Sequence, residues 1–145
     1  MYKHVIVATD GSEIAGKAMD HAIALAKNTG AALTAVTITE PFESIAFTEQ
    51  QAVVDPKGYE QQCEVYAETV LEAAVNKAQA AGVPIKTAHH ANRWPYAGII
   101  DAAQKAGAEL IVLGSHGRRG LEALLLGSQA VKVLTHTKIP VLVVR

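Results

Sequence analysis

The chain has 145 residues and a formal net charge of −1; half of its residues are hydrophobic and 19 % are charged. That balance suits a single packed domain over residues 1–145 and excludes an intrinsically disordered chain. No basic stripe is present to follow a nucleic acid, and no apolar run reaches the roughly 18 residues that a membrane helix needs.

Residues 4–9 read as a short buried strand that runs into Asp10-Gly11-Ser12. Ser12 is a good N-cap for the helix that follows. In that helix Ile14, Ala18, Ala22, Leu25 and Ala26 recur at helical spacing, and Asn28-Thr29-Gly30 closes it. Residues 32–39 are rich in β-branched side chains and form the second strand. The connection over residues 40–58 is long by loop standards and carries Pro41, Phe42, Ile45, Phe47, Val53, Val54 and Pro56. So apolar a loop is expected to pack on its own sheet, to cover a ligand, or to meet another copy. A long helix is expected over 59–81, with Val65, Thr69, Leu71, Val75 and Ala78 along it and Gly82 beyond its end. Strand three follows at 84–90. A helix at 95–106 turns Ile99, Ile100 and Ala103 inward and stops at Gly107. Strand four is 109–113, the last helix is 127–135, and strand five is 140–144. Buried strands alternating with helices specify parallel βαβ units, hence an α/β, doubly wound sheet with helices on both faces. Ligands of such sheets sit beyond the strand C-termini, where the winding reverses.

Chemistry concentrates after strand four. Gly114-Ser115-His116-Gly117 is followed by nine residues and then Gly127-Ser128, which opens a helix. Glycines let backbone approach a ligand, and a helix start offers unpaired N–H groups to an anion. The segment reads as a phosphate cradle. Asp10, ending strand one, would share its rim as an acceptor for ribose hydroxyls or a group near a metal, or it would cap the next helix. Gly117 and Gly127 would bring amides to phosphate oxygens, and Ser128 would add a hydroxyl. Arg118 and Arg119 would pair with phosphates or stay solvated. His116 would contact a phosphate, activate a water, or serve loop geometry.

Exclusions narrow the cradle. It lacks the Lys-Ser/Thr pair of a P-loop, and the first strand lacks the glycines of a dinucleotide fingerprint. A response regulator would have an acidic residue where this chain has His89-His90; those two neighbours on one strand point to opposite faces and do not chelate one ion. No nucleophile–base–acid set stands out. Cys63, the sole cysteine, excludes an internal disulfide and reads as a packing residue. Mg²⁺, if it accompanies a triphosphate, would bind mainly through the phosphates, with no protein metal ligand assigned.

The chain resembles the universal stress protein family over its whole length. The resemblance rests on Val7-Ala8-Thr9-Asp10-Gly11-Ser12-Glu13 at the entry, Ile139-Pro140-Val141-Leu142-Val143-Val144 at the end, and the Gly114/Gly117/Gly127-Ser128 glycine pattern of the family's ATP-binding branch. It implies a five-stranded parallel sheet of order 3-2-1-4-5 with ATP, or ADP or AMP, between the ends of strands one and four. Thr9 and Asp10 would face the adenosine, Ile38 would give backbone contacts to adenine, and Gly114 and Ser115 would lie by the ribose. Gly117, Gly127, Ser128 and Gln129 would hold the phosphates. Pairing through the last strand would make a homodimer. The implied role is a cytoplasmic nucleotide-dependent sensor or regulatory module in stress response, with a slow ATPase or phosphotransferase as the second reading and a nucleotide-free dimerisation module as the third. One departure is Arg93-Trp94-Pro95 where the family commonly has Gly-x-Pro; Trp94 is expected to be a packing residue.

Overall fold

Three consecutive buried residues, Val5, Ile6 and Val7, show that both faces of the first strand are covered. This is the mark of a central parallel strand. The computed structural model describes residues 1–45, 55–117 and 126–145. Its strands are β1 (His4–Ala8), β2 (Ala32–Thr39), β3 (Lys86–Ala91), β4 (Leu110–Gly114) and β5 (Val141–Val144). They form one parallel sheet of order β3-β2-β1-β4-β5. The helices are α1 (Glu13–Thr29), α2 (Phe42–Ile45), α3 (Pro56–Ala80), α4 (Pro95–Ala106) and α5 (Ser128–His136).

Alternation along the strands divides the core. Val5, Val7, Leu33, Ala35 and Val112 pack with Ala18, Ala22, Leu71 and Ala78 of α1 and α3. On the other face Ile6, Val36 and Ile111 pack with Ile99, Ala103, Ala130 and Val133 of α4 and α5. The expected five-stranded order and two-faced covering are both present.

Local chemistry sets the helix ends. Ser12 Oγ accepts the Ala15 N–H at 3.2 Å to open α1, and Gly30, at φ 73°, closes it in the left-handed conformation. Asp55 Oδ1 accepts the Gly58 N–H at 2.9 Å and Pro56 occupies the first turn, so α3 starts three residues before the position expected from the apolar pattern. On α3 the buried stripe is Ala67, Val70, Leu71, Ala74 and Ala78, whereas Val65 is 63 % exposed and Thr69 faces solvent. Three of the five stripe residues are alanines, which lets the helix approach the sheet closely.

The connection after β2 is partly regular. Phe42 in α2 lies 5.9 Å from the Tyr59 ring, and Tyr59 Oη donates to the Glu40 carbonyl at 2.8 Å. Phe47, Val53 and Val54 lie outside the described residues. The β1 start is pinned by His4, whose Nδ1 donates to the Ala106 carbonyl at 2.9 Å while Nε2 shares a hydrogen bond with Thr34 Oγ1 at 2.8 Å. Among the described residues no helix is long and apolar enough to cross a membrane.

Candidate functional site

β1 has β2 on one side and β4 on the other, so the winding reverses at its C-terminal end. The chain leaves β1 through a tight polar turn. Thr9 Oγ1 accepts the Gly11 N–H at 3.3 Å, and Asp10 Oδ1 accepts the Ser12 N–H at 3.0 Å. Gly11 sits at φ 78°, a conformation that favours glycine. Tyr66 of α3 donates its Oη to the Asp10 carbonyl at 2.8 Å and fixes this turn from the helix above. Sequence reasoning missed Tyr66, because nothing local links it to a residue 56 positions earlier.

The glycine segment faces this turn. Ser115, 2 % exposed, donates its N–H to the Val144 carbonyl at 2.7 Å and accepts the Gly127 N–H on its own carbonyl. A Cβ on Gly127 would lie 3.0 Å from that carbonyl oxygen and 3.1 Å from His116 Cα, so only glycine lets the two halves of the segment close. A Cβ on Gly117 would lie 2.8 Å from Asp10 Oδ2. Asp10 and Gly117 therefore share one rim, as the switch-point argument expects. Gly114 is held just as tightly, against the Ile14 side chain of α1.

α5 starts at this rim. Gly127 is its N-cap and offers no side-chain cap, and Ser128 is its exposed first residue. The first intrahelical bond is Val131 N–H to the Gly127 carbonyl at 3.1 Å. The amides of Ser128, Gln129 and Ala130 thus have no partner within the helix, and they carry the positive end of its dipole. Ile38 completes the rim by alternation. The Val36 carbonyl accepts the Thr9 N–H at 2.9 Å, and Val36 is the last β2 residue in register with β1. Two positions on, Ile38 directs its own backbone groups to the same side, beyond the end of β1.

A family model described as the universal stress protein family matches residues 1–145. The chain belongs to that family. It is 35 % identical over 154 residues to universal stress protein YxiE of Bacillus subtilis, with 100 % of both chains covered. Universal stress protein UspA from Lactobacillus plantarum has the same fold, with a TM-score of 0.80 at 24 % identity, covering 100 % of this chain and 99 % of that one. A universal stress protein solved in complex with cAMP matches with a TM-score of 0.70 at 27 % identity, covering 99 % and 97 % of the two chains.

In this universal stress protein the Gln129 side chain is engaged away from the rim: its Oε1 accepts the Tyr96 N–H at 3.0 Å, in the first turn of α4. The Gln129 backbone amide remains among the N–H groups at the α5 start that have no partner within the helix. Trp94, the N-cap of α4, is 49 % exposed and is not a packing residue. His116 Nδ1 shares a hydrogen bond of 3.2 Å with Ser115 Oγ, which supports the loop itself. Arg118 and Arg119 lie outside the described residues. His89 and His90 point to opposite faces, as expected: His89 Nε2 meets Thr39 Oγ1 at 2.7 Å, while His90 Nδ1 lies 3.9 Å from Asp101. Partial burial holds His89 below the usual 6.5, with Glu64 opposing and His90 adding to the shift. Burial raises the Tyr59 phenol above its usual range, and contact with Cys63 adds to this. Among the described residues no group of three or more His, Cys, Asp or Glu side chains is placed to hold a metal ion.

Proposed function

We propose that this protein is an adenine-nucleotide-binding regulatory module of the universal stress protein family, with ATP as its main ligand. The observation that carries this reading is the juxtaposition of Asp10 with Gly117, where a single Cβ would fill the gap. A carboxylate beside bare backbone, next to an uncapped helix start, suits a ribose followed by phosphates. The rim fits the ligand part by part. Thr9, Asp10 and the Ile38 backbone would take the adenosine, Gly114 and Ser115 would back the ribose, and Gly117, Gly127, Ser128 and the Gln129 amide would hold the phosphates. Mg²⁺ would enter with the phosphates, since the described protein groups do not form a cage of their own.

The cAMP complex of the related protein supports an adenine ligand; the choice of ATP rests on the length of the glycine segment and on the amides at the α5 start. Regulation is favoured over turnover because the rim supplies binding groups while the one histidine in the glycine segment, His116, is tied to Ser115. β5 has a neighbour on one side only and exposes Leu142, which supports a homodimer formed by pairing these edges.

Calorimetric titration of native protein and of Gly127→Val with ATP tests the reading. Native protein should bind, and the variant, which cannot close Gly127 onto Ser115, should lose at least tenfold in affinity. A variant that binds as well as native would remove the glycine segment from the site.

A further inference from the structure

The entrance to α4 carries Arg93-Trp94-Pro95, and the structure turns the first two of these side chains outward. Trp94 is half exposed, and Arg93 lays its guanidinium 4.9 Å from the Trp94 ring centroid. Lys132, from α5, brings its Nζ to 5.9 Å from Trp94 and 5.6 Å from Tyr96. His136 packs against Tyr96, the two ring centroids 4.9 Å apart and the planes tilted by 44°. Two cations thus share one exposed indole. Among the described residues neither Arg93 nor Lys132 forms an ion pair with a carboxylate. Cation–π contact orients them without neutralising their charge. A tryptophan with arginine beside it, in an apolar centre with a charged rim, is the composition of a binding hot spot.

We infer that the Arg93-Trp94-Tyr96-Lys132 surface docks an acidic segment of a partner protein, one that carries an aromatic or aliphatic side chain for Trp94. The charge pattern selects this occupant. Two cations match a pair of carboxylates on a short segment. A nucleic acid or an anionic membrane calls for an extended basic field, which a chain of net charge −1 without a basic stripe does not provide.

The same surface is joined to the nucleotide rim. Gln129 follows Ser128 in the first turn of α5, and its side chain holds the Tyr96 N–H. Lys132 lies one turn further along α5. A nucleotide that orders the α5 start would therefore shift two of the four docking residues. This coupling rests on the nucleotide-binding reading above; the docking surface does not.

Trp94 is the sole tryptophan, so its emission reports the surface directly. The probe is a short peptide of alternating glutamate and leucine, with a lysine–leucine peptide of equal length as control. The acidic peptide should change Trp94 emission saturably, and rising salt should weaken it. Arg93→Glu/Lys132→Glu should reduce affinity at least tenfold, with far-ultraviolet dichroism confirming an intact fold. Saturating ATP should change the peptide affinity at least threefold in native protein, and that ratio should collapse to one in Gln129→Ala at ATP levels that saturate each form.

Absence of acidic-peptide binding, or binding that survives the double charge reversal, would overturn the docking surface. Tighter displacement by a single-stranded oligonucleotide or by phosphatidylglycerol vesicles would overturn the choice of partner. So would a change in sedimentation caused by charge reversal, since it would assign the surface to a second copy. If calorimetry shows no ATP binding, the nucleotide reading fails while the peptide result stands. If ATP binds and peptide affinity does not move, the coupling alone fails.

Discussion

A methyl group at Gly117 would enter the space next to the Asp10 carboxylate, at 2.8 Å from Oδ2. Asp10 is a short, rotatable side chain, so the fold would survive by turning it away, whereas a ligand that needs that carboxylate would not tolerate the change. Gly117→Ala is expected to keep its thermal midpoint within a few degrees, a shift worth under about 1 kcal/mol. Its ATP affinity is expected to fall about tenfold by calorimetry. His89 makes a second prediction, from pH. Its folded value lies below the unfolded 6.5, so the unfolded chain takes up the proton first. Stability is then full above 6.5 and declines as the pH falls through 6.5 towards the folded value. Because His89 is largely solvent-exposed, the decline should be a fraction of 1 kcal/mol. Thermal melts from neutral pH down to about 5 should show a shallower slope for His89→Gln; equal slopes would remove His89 from the account. At this scale the sequence displayed Asp10, Ser12 and the glycines because each acts on neighbours a few positions away or through its own backbone. Tyr66 and the Gln129 side chain stayed hidden because each bonds across a long sequence separation, to Asp10 and Tyr96.

α4 is packed unusually close to β2. A Cβ on Gly98 would lie 2.9 Å from Ile38 Cγ2 and 3.1 Å from Asn92 Cβ. In an unhindered helix, glycine to alanine would gain up to about 1 kcal/mol of helix propensity. Here overpacking costs about 1–3 kcal/mol and outweighs that gain. Gly98→Ala is therefore expected to lower the urea midpoint by about 1 kcal/mol equivalent, and to move Ile38, whose backbone is proposed to meet adenine. A rise in midpoint would show that Ile38 yields freely. Elements were legible wherever caps and periodicity agreed, as in α1, with Ser12 at one end and Gly30 at the other. They slipped where the two signals separated. On the long helix the apolar spacing placed Leu71 and Ala78 in the buried stripe, where they lie, but Val65 and Thr69 face solvent while Ala67, Val70 and Ala74 complete the stripe. The Asp55-Pro56 pair, a cap followed by a first-turn proline, was the better marker of its start. β3 begins at Lys86 rather than Pro84, since proline cannot donate to a ladder.

For the whole molecule, alternating strands and helices with right-handed crossovers specify a doubly wound parallel sheet. The particular order β3-β2-β1-β4-β5, with its one reversal of winding at β1, was legible only through the family resemblance, since those rules admit other orders. The connection after β2 was not, because its apolar residues obey no period. The reversal also determines where a ligand competes for space. A groove of about 400 Å³ opens between α1 and α3, lined by Gly11, Ser12, Gly16, Asp20, Ala74 and Lys77. Lys77 closes one wall through its 2.9 Å ion pair with Asp20. Among the described residues, the groove meets the rim at the ends of β1 and β4 only through Thr9, which lines it as well. Amide chemical shifts of the isotope-labelled protein, followed as ATP is added, separate the two places. Saturable shifts are expected at Thr9, Asp10, Ile38, Gly114, Ser115, Gly117, Gly127, Ser128 and Gln129. Shifts confined to Gly16, Asp20, Ala74 and Lys77, or no shifts at all, would contradict the nucleotide-binding reading.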